Sequence, residues 1–331
     1  MSETRIADII IPEVFLPYVL ERSLNQNRFF QSGVMTPLAS ISSFLANGGK
    51  TFNIPYWKDL TGVTDVPSET VATTVNAISS DKMIGIRQIR EKAWGANDLT
   101  AALAGSDPYT AIGDRVSGFW GKALEDLLIY SIRGVMASNA QDNASDLIND
   151  ISIADGSAAT DANKISAVST IDAVMKQGDL FQDITTIAIH SAVYATLVKN
   201  NLIDYIKDSN QNMVFPTYMG LRLIVSDNMY RVAAGGGYKY HSYLFKAGSV
   251  GFGSYGGPIQ EVETFRDPSK GAGIDVLYTR RQFCIAPLGF TWDKASNTAI
   301  SPSDADLYDK DSWGRKYDAK NTGIVTLVSN L

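Results

Sequence analysis

The run at residues 108–138, PYTAIGDRVSGFWGKALEDLLIYSIRGVMAS, most constrains what this chain can fold into. Ser106 and Asp107 stand in front of it as capping residues, and Pro108 suits a first helical position. Ile112, Val116, Phe119, Trp120, Ala123, Leu127 and Leu128 recur at three- and four-residue steps, which predicts one buried helical stripe. Asp114, Arg115, Lys122, Glu125 and Asp126 fall elsewhere and leave one flank wet. Such a helix is roughly 45 Å long, more than one small core needs. Alone, it fits the central helix of an α+β enzyme. What precedes it in the chain points elsewhere.

The chain has 331 residues, enough for a large core divided between two lobes. With 45% hydrophobic and 19% charged residues the composition is that of a globular protein. A net charge of −6 excludes a general basic footprint for gripping nucleic acid. Cys284 is the only cysteine, so no internal disulfide forms and a reducing compartment fits. The two histidines, His190 and His241, are too few for a multi-histidine metal site. The apolar run at 6–20 is broken by Asp8, Pro12, Glu13 and Pro17 and lacks a small-residue cleavage site. It predicts neither a signal peptide nor a membrane span, and a soluble, cytoplasmic product is expected.

Residues 1–34 read as an arm. Ile9, Ile10, Ile11, Val14, Phe15, Leu16 and Val19 load a terminus that its prolines keep from forming one clean helix. Such a terminus needs a surface to rest on, its own or a neighbour's. Residues 38–45 predict a short element ended by Asn47, Gly48 and Gly49. Thr51–Trp57 alternates as a strand, and Pro55 places it at an edge or a strand end. A Thr-, Val- and Ser-rich segment follows, with Val71 and Val75 on one face, and then a second extended stretch, 82–94, carrying Arg87, Arg90 and Lys92. Together these predict a long two-stranded hairpin. It has too few large apolar residues for a core of its own, and a lone hairpin is marginal in water. The physical solution is that it lies across another subunit.

A small helix is expected at 97–104, and 142–161 reads as a surface connection. A helix at 165–176 is closed by Gly178, and a buried strand at Ile184–Ile189 is followed by a helix to Lys199 capped by Ser191. Residues 200–208 read as continuing helically. Strands are expected at Leu221–Val225, 238–245, 262–265 and 276–283, an α+β order.

Several motifs fail on context. Gly49-Lys50-Thr51 mimics the end of a phosphate loop, but Phe44 occupies the first glycine position and a strand follows. Gly251, Gly253 and Gly256 spell a dinucleotide fingerprint with Asp275 beyond it, yet Gly257-Pro258 and an alternating run replace the required helix, so a glycine-rich turn is expected. Asp304, Asp306, Asp309 and Asp311 miss the calcium-loop spacing and read as a solvated acidic turn. His190 beside Ser191 reads as strand end and cap, His241 as filler, and Cys284 as a buried small residue. Glu261, Glu263, Arg266 and Asp267 cluster near a turn and suit either a solvated face or an intersubunit ion-pair site.

The order of these parts resembles the major capsid proteins of tailed bacteriophages with the Hong Kong 97-type fold. The arm, the hairpin near 52–94 and the helix at 108–138 are similar to that family's N-terminal arm, extended loop and spine helix. GLRLIVSDNM at 220–229 resembles its axial-domain strand. YLFKAGSVGFG at 243–253 and VETFRDPSKGAGIDVLYTRRQFCIAPLGFTW at 262–292 resemble its returning peripheral strands, and Ser312-Trp313 with KNTGIVTLVSNL resembles the tail of one subgroup. The resemblance spans nearly the whole chain, and the ordered set carries it.

The resemblance implies an α+β capsid fold divided into an arm (1–51), extended loop (52–94), spine helix and peripheral domain (95–140), axial domain (141–255), returning peripheral strands (256–293) and C-terminal tail (294–331). It implies a non-enzymatic head subunit, without cofactor or metal, that forms pentamers and hexamers around double-stranded DNA without sequence-specific contact. Portal, scaffolding and decoration proteins are its expected partners, with no membrane; its place is the virion head, after assembly in the host cytoplasm. No built-in scaffolding domain is expected, and no lysine–asparagine cross-linking pair is identifiable. Candidate intersubunit contacts are Phe15 and Tyr18 on the arm, Arg87, Arg90 and Lys92 on the loop, and Glu261, Glu263, Arg266 and Asp267. The alternatives are an encapsulin-like compartment shell and an α+β hydrolase, the latter needing convergent carboxylates that the sequence does not offer.

Overall fold

The computed structural model describes residues 27–99 apart from 59, 61, 68, 71 and 74, together with 108–207, 213–269 apart from 258, 273–294 and 299–331. The Asn27 side chain caps a one-turn helix, α1 (Arg28–Gln31), which leads through β1 (Met35–Pro37) to α2 (Ala39–Ala46). β2 (Thr51–Trp57) pairs antiparallel with β3 (Ser80–Ile86), and β4 (Gln88–Asn97) precedes the long helix α3 (Pro108–Asp142). Next come β5 (Ile148–Asp150), α4 (Ala167–Val174), β6 (Ile184–Ile189), α5 (Ser191–Lys199), β7 (Asp204–Lys207), β8 (Met213–Tyr218) and β9 (Leu221–Val225). Then follow β10 (Arg231–Ala234), β11 (Gly237–Lys246), β12 (Val250–Ser254), β13 (Val262–Asp267), β14 (Ile274–Pro287) and β15 (Phe290–Trp292). The chain closes with α6 (Asp304–Tyr308), β16 (Trp313–Arg315), α7 (Ala319–Thr322) and β17 (Ile324–Ser329).

Two sheets organise these elements. The long β14 anchors a five-stranded sheet, pairing with β4 along 274–283, with β13 along 274–279 and with β12 along 283–287, while β1 joins β12 in parallel. An eight-stranded sheet runs β5-β17-β11-β6-β9-β8-β7, and β10 pairs with β11. The chain's last strand is therefore inside this second sheet, buried at every residue, rather than forming a separate tail.

α3 joins the two sheets. Val116, Trp120, Leu124, Leu127, Leu128 and Ile132 are buried along it, and each such side chain stabilises the fold by about 1.5–3 kcal/mol. One apolar cluster runs from Leu277 and Phe283 along this stripe to Ile187, Leu244 and Leu327 in the second sheet. Phe119, which the spacing assigns to the stripe, is instead exposed and meets Trp94 edge-on at 5.1 Å. The helix passes Ser138 and stops where Asn139 turns to Asp146 and to the backbone of Leu147.

Gly134 sets how closely the C-terminal segment approaches α3. A Cβ there would overlap the carbonyl oxygen of Leu307 and lie 2.6 Å from Trp313 Nε1, two groups that hydrogen-bond to each other at 2.8 Å. Gly134→Ala is expected to destabilise the fold by about 1–3 kcal/mol, with Trp313 moving into a wetter environment. Thermal melting followed by tryptophan fluorescence checks this; an unchanged melt and spectrum would count against the packing described.

Further local expectations differ from the structure. Residues 204–207 form a strand rather than a helix, because pairing with β8 overrides their helical spacing. His190, not Ser191, caps α5: its Nδ1 accepts the Ala192 N–H at 3.0 Å. Within 142–161, read as a connection, 148–150 forms an edge strand beside β17. Gly251 and Gly253 lie within β12, where α2 sits so close that a Cβ on Gly253 would stand 2.5 Å from Ile41 Cγ2. The helix expected at 97–104 lies largely outside the described residues, and Asn97 itself ends β4.

Candidate assembly surfaces

The hairpin begins in a paired stem and ends in an uncovered apolar end. β2 turns Phe52, Ile54 and Tyr56 toward the body, and the backbone bonds Lys58 N–H to Ser79 O and Arg87 N–H to Lys50 O bound its stem, both at 2.9 Å. Its root is fastened at several points. Tyr56 meets the Tyr317 ring at 4.9 Å, and the Ile84 N–H donates to Thr291 Oγ1 at 2.9 Å. Asp81 stands 3.6 Å from Lys58 and 3.9 Å from Lys316. The Lys82 N–H, with the two lysines adding to it, holds the Asp81 carboxyl below its ordinary range. Burial, with Asp81 nearby, raises the Tyr56 phenol above its own.

Beyond the stem the cover ends. Val63 is 91% exposed and Val75 94%, and Trp57, Leu60, Val66 and Ile78 are exposed with them. Scattered single apolar residues on a surface need no explanation, but a concentration on one projecting segment marks an interaction site.

The charged candidates divide sharply. Arg87 donates to Gln282 Oε1 at 3.0 Å and to the Leu45 carbonyl, inside its own chain. Arg90 reaches Asp304 at 2.8 Å and Ser301 Oγ at 3.0 Å. Lys92 is exposed on β4. Glu261 pairs with Arg281, and both side chains are nearly enclosed, 10% and 4% exposed. Burial raises the Glu261 carboxyl and lowers the Arg281 guanidinium, with each partner opposing the shift of the other. Glu263 takes a bond from Arg280 at 3.1 Å, and Arg266 bridges Asp98 and Asp275 at 2.6 Å each. Asp267 accepts from Ser269 N–H and Oγ. Phe15 and Tyr18 lie outside the described residues.

Chemical decoys resolve into structural roles. Asp306 and Asp309 hold Lys294 at 3.0 and 2.8 Å, and Ser303 caps α6 through Asp306. Bonds from Ser303 and then Lys294 bring the Asp306 carboxyl down to about 2. Cys284 is wholly buried, which pushes its thiol up to about 12, while burial lowers His241 to about 4 and leaves it neutral. Among the described residues no group of three His, Cys, Asp or Glu side chains gathers as metal ligands, and no described helix is long and apolar enough to cross a membrane. The buried Glu261–Arg281 pair has no sequence signal, since its partners meet across a strand pairing.

This architecture recurs in solved phage capsids. The chain matches the cyanophage Pam1 capsid with a TM-score of 0.60 over 93% of each chain at 11% identity. It matches the capsid of Ralstonia phage GP4 with a TM-score of 0.57 over 92% of this chain and 91% of that one, at 10% identity. At such identities the likeness concerns the fold alone, and it defines the class: an α+β capsid fold of Hong Kong 97 type. In sequence, the family model described as Major capsid protein 13-like (Gp13-like) matches residues 110–325. The major capsid protein of Bacillus phage SPP1 is 36% identical over 335 residues, covering 100% of this chain and 99% of that protein. The chain belongs to this family of phage major capsid proteins, the structural subunits of the icosahedral head.

Proposed function

We propose that the chain builds its shell from pentameric and hexameric rings, each subunit laying its hairpin on a neighbour, around double-stranded DNA held without sequence-specific contact. The single observation that carries this reading is the hairpin's apolar end, left bare by its own chain. Net acidity supports a container that does not grip its genome. Portal, scaffolding and decoration proteins are the partners of such a shell, and assembly takes place in the host cytoplasm.

The subunit is not an enzyme in this reading: the titratable groups described above serve caps, ion pairs and core packing. Three units follow for the described residues: the hairpin at 51–86, a peripheral body around the five-stranded sheet, and an axial body around the eight-stranded sheet that includes the last strand. Lys92, Glu263 and Arg266 are the intersubunit candidates that keep an exposed face, whereas Arg87 and Glu261 act within the subunit. Electron microscopy of particles from the full chain tests the reading. Closed shells with five- and sixfold rings are expected; a protein that stays monomeric with the other head proteins supplied would overturn it.

A further inference from the structure

A cleft of about 510 Å³ opens where the last turns of α3, one face of the eight-stranded sheet and α6 come together. That is the size of a small-molecule site, more than a lone inorganic ion fills. Met136 and Ala137 from α3 and Ile148 from β5 give it an apolar wall. Tyr243 and Thr326 pair across β11 and β17, so both stand on this face of the sheet. The Thr326 side chain is 1% exposed, and its hydroxyl has no hydrogen-bond partner among the described residues. Buried hydroxyls are ordinarily paired, so this one calls for a bound atom.

Arg133 brings the charge. Its guanidinium lies 3.8 Å from the ring centre of Tyr230 and 4.3 Å from that of Tyr308, and these rings hold it in place. Its N–H groups make no hydrogen bond or ion pair among the described residues, although the side chain is half-buried. Charges drawn out of water are ordinarily paired. The surrounding charges leave the cleft positive. Lys310 lines it and is exposed, while Asp309, also in the lining, is held by Lys294 at 2.8 Å. Asp311 lies outside the lining and accepts from Gln141 at 3.1 Å. Asp150 and Lys239 act on His241 with opposite signs, and burial keeps that histidine neutral.

We propose that this cleft binds a small organic anion, its apolar body resting on Met136, Ile148 and Tyr243 and its carboxylate or phosphate meeting the Arg133 N–H groups, with the Thr326 hydroxyl donating to a ligand oxygen. Arginine suits such an end group because its fork of N–H donors matches two oxygens at once. An occupant touches α3, the sheet and α6 together, so binding favours the folded arrangement of all three. The site is complete within one subunit and does not depend on ring formation.

Calorimetry of the unassembled full-length subunit with naphthoate, naphthamide and inorganic phosphate tests this. Naphthoate is expected to bind with a Kd of about 0.1–1 mM, the affinity open to a ligand of its size, and to raise the melting temperature. The neutral amide lacks the charge and phosphate lacks the apolar body, so each should bind roughly tenfold more weakly or worse. This comparison within the parent chain needs no variant. Arg133→Met should abolish the preference for the acid over the amide, and Thr326→Val should weaken naphthoate about threefold. No naphthoate binding at about 10 mM, equal binding of acid and amide, phosphate binding as tight as naphthoate, or an unchanged naphthoate affinity in either folded variant would overturn the inference. Each of these results leaves the shell reading intact, which particle formation tests separately.

Discussion

With residues 59–78 replaced by Asn-Gly, the chain is expected to fold and melt like its parent but to form no particles. The dipeptide suits a two-residue hairpin turn, and it joins Lys58 to Ser79, whose backbones already bond across the stem. Nothing in the core is touched, so stability should stay within about 0.5 kcal/mol, as for other surface changes. What disappears is the exposed set Leu60, Val63, Val66, Val75 and Ile78. Full burial of such side chains contributes about 1.5–3 kcal/mol each. Even about 3 kcal/mol per contact shifts an association constant more than a hundredfold, and every subunit repeats it. Melting with sedimentation checks both halves: normal heads from the shortened chain would remove the hairpin from assembly. The cut stops before Ser80 because a longer deletion, reaching residue 84, would also take Met83 from the core and the Ile84 N–H from Thr291.

Arg281→Met should be the most damaging single substitution inside the subunit. It leaves Glu261 nearly enclosed without its cation, and breaking a buried pair in this way costs about 3–5 kcal/mol. Replacing both partners, Glu261→Leu with Arg281→Met, should be close to neutral, because no buried charge is then left alone. The pH dependence gives a second check. Burial already raises the Glu261 carboxyl above its ordinary 4.5, and losing the arginine removes the opposing influence. A carboxyl raised in the folded state favours folding while it holds its proton and loses that contribution as pH rises through the raised value. The single variant should therefore gain stability relative to the parent on acidification from neutral pH toward 4.5. Denaturant titrations at several pH values measure this; a single variant no worse than the double would show that the pair is not enclosed.

The parts legible in the sequence were those whose signal is local. α3 shows in its three- and four-residue spacing, and Thr51–Trp57, Ile184–Ile189 and Leu221–Val225 begin and end where their apolar pattern does. Pairing across distance left no such mark. The stretch 80–97 is extended almost throughout, yet its partner changes at Arg87 from β2 to β14, so the division between hairpin and body is invisible from within. Ile324–Ser329 reads as a tail until its neighbours β5 and β11 are known.

The candidate surface followed the same rule. Excess extended length at 58–79 was readable because the segment holds too few large apolar residues to build a core of its own. The charged candidates were not, since Arg90 and Asp304 are 214 positions apart and nothing local announces their pairing. On α4, periodicity identified a helix but not the side its apolar residues face, because spacing alone does not say which side the sheet occupies; Val168 and Ile171 are exposed.

The central claim is that the hairpin finishes its packing on another copy. Hydrogen–deuterium exchange of peptides covering residues 60–79, compared between particles and unassembled subunits, tests this most directly. These amides are expected to exchange rapidly in the free subunit and to become strongly protected in the particle. Equal, rapid exchange in both states would contradict it.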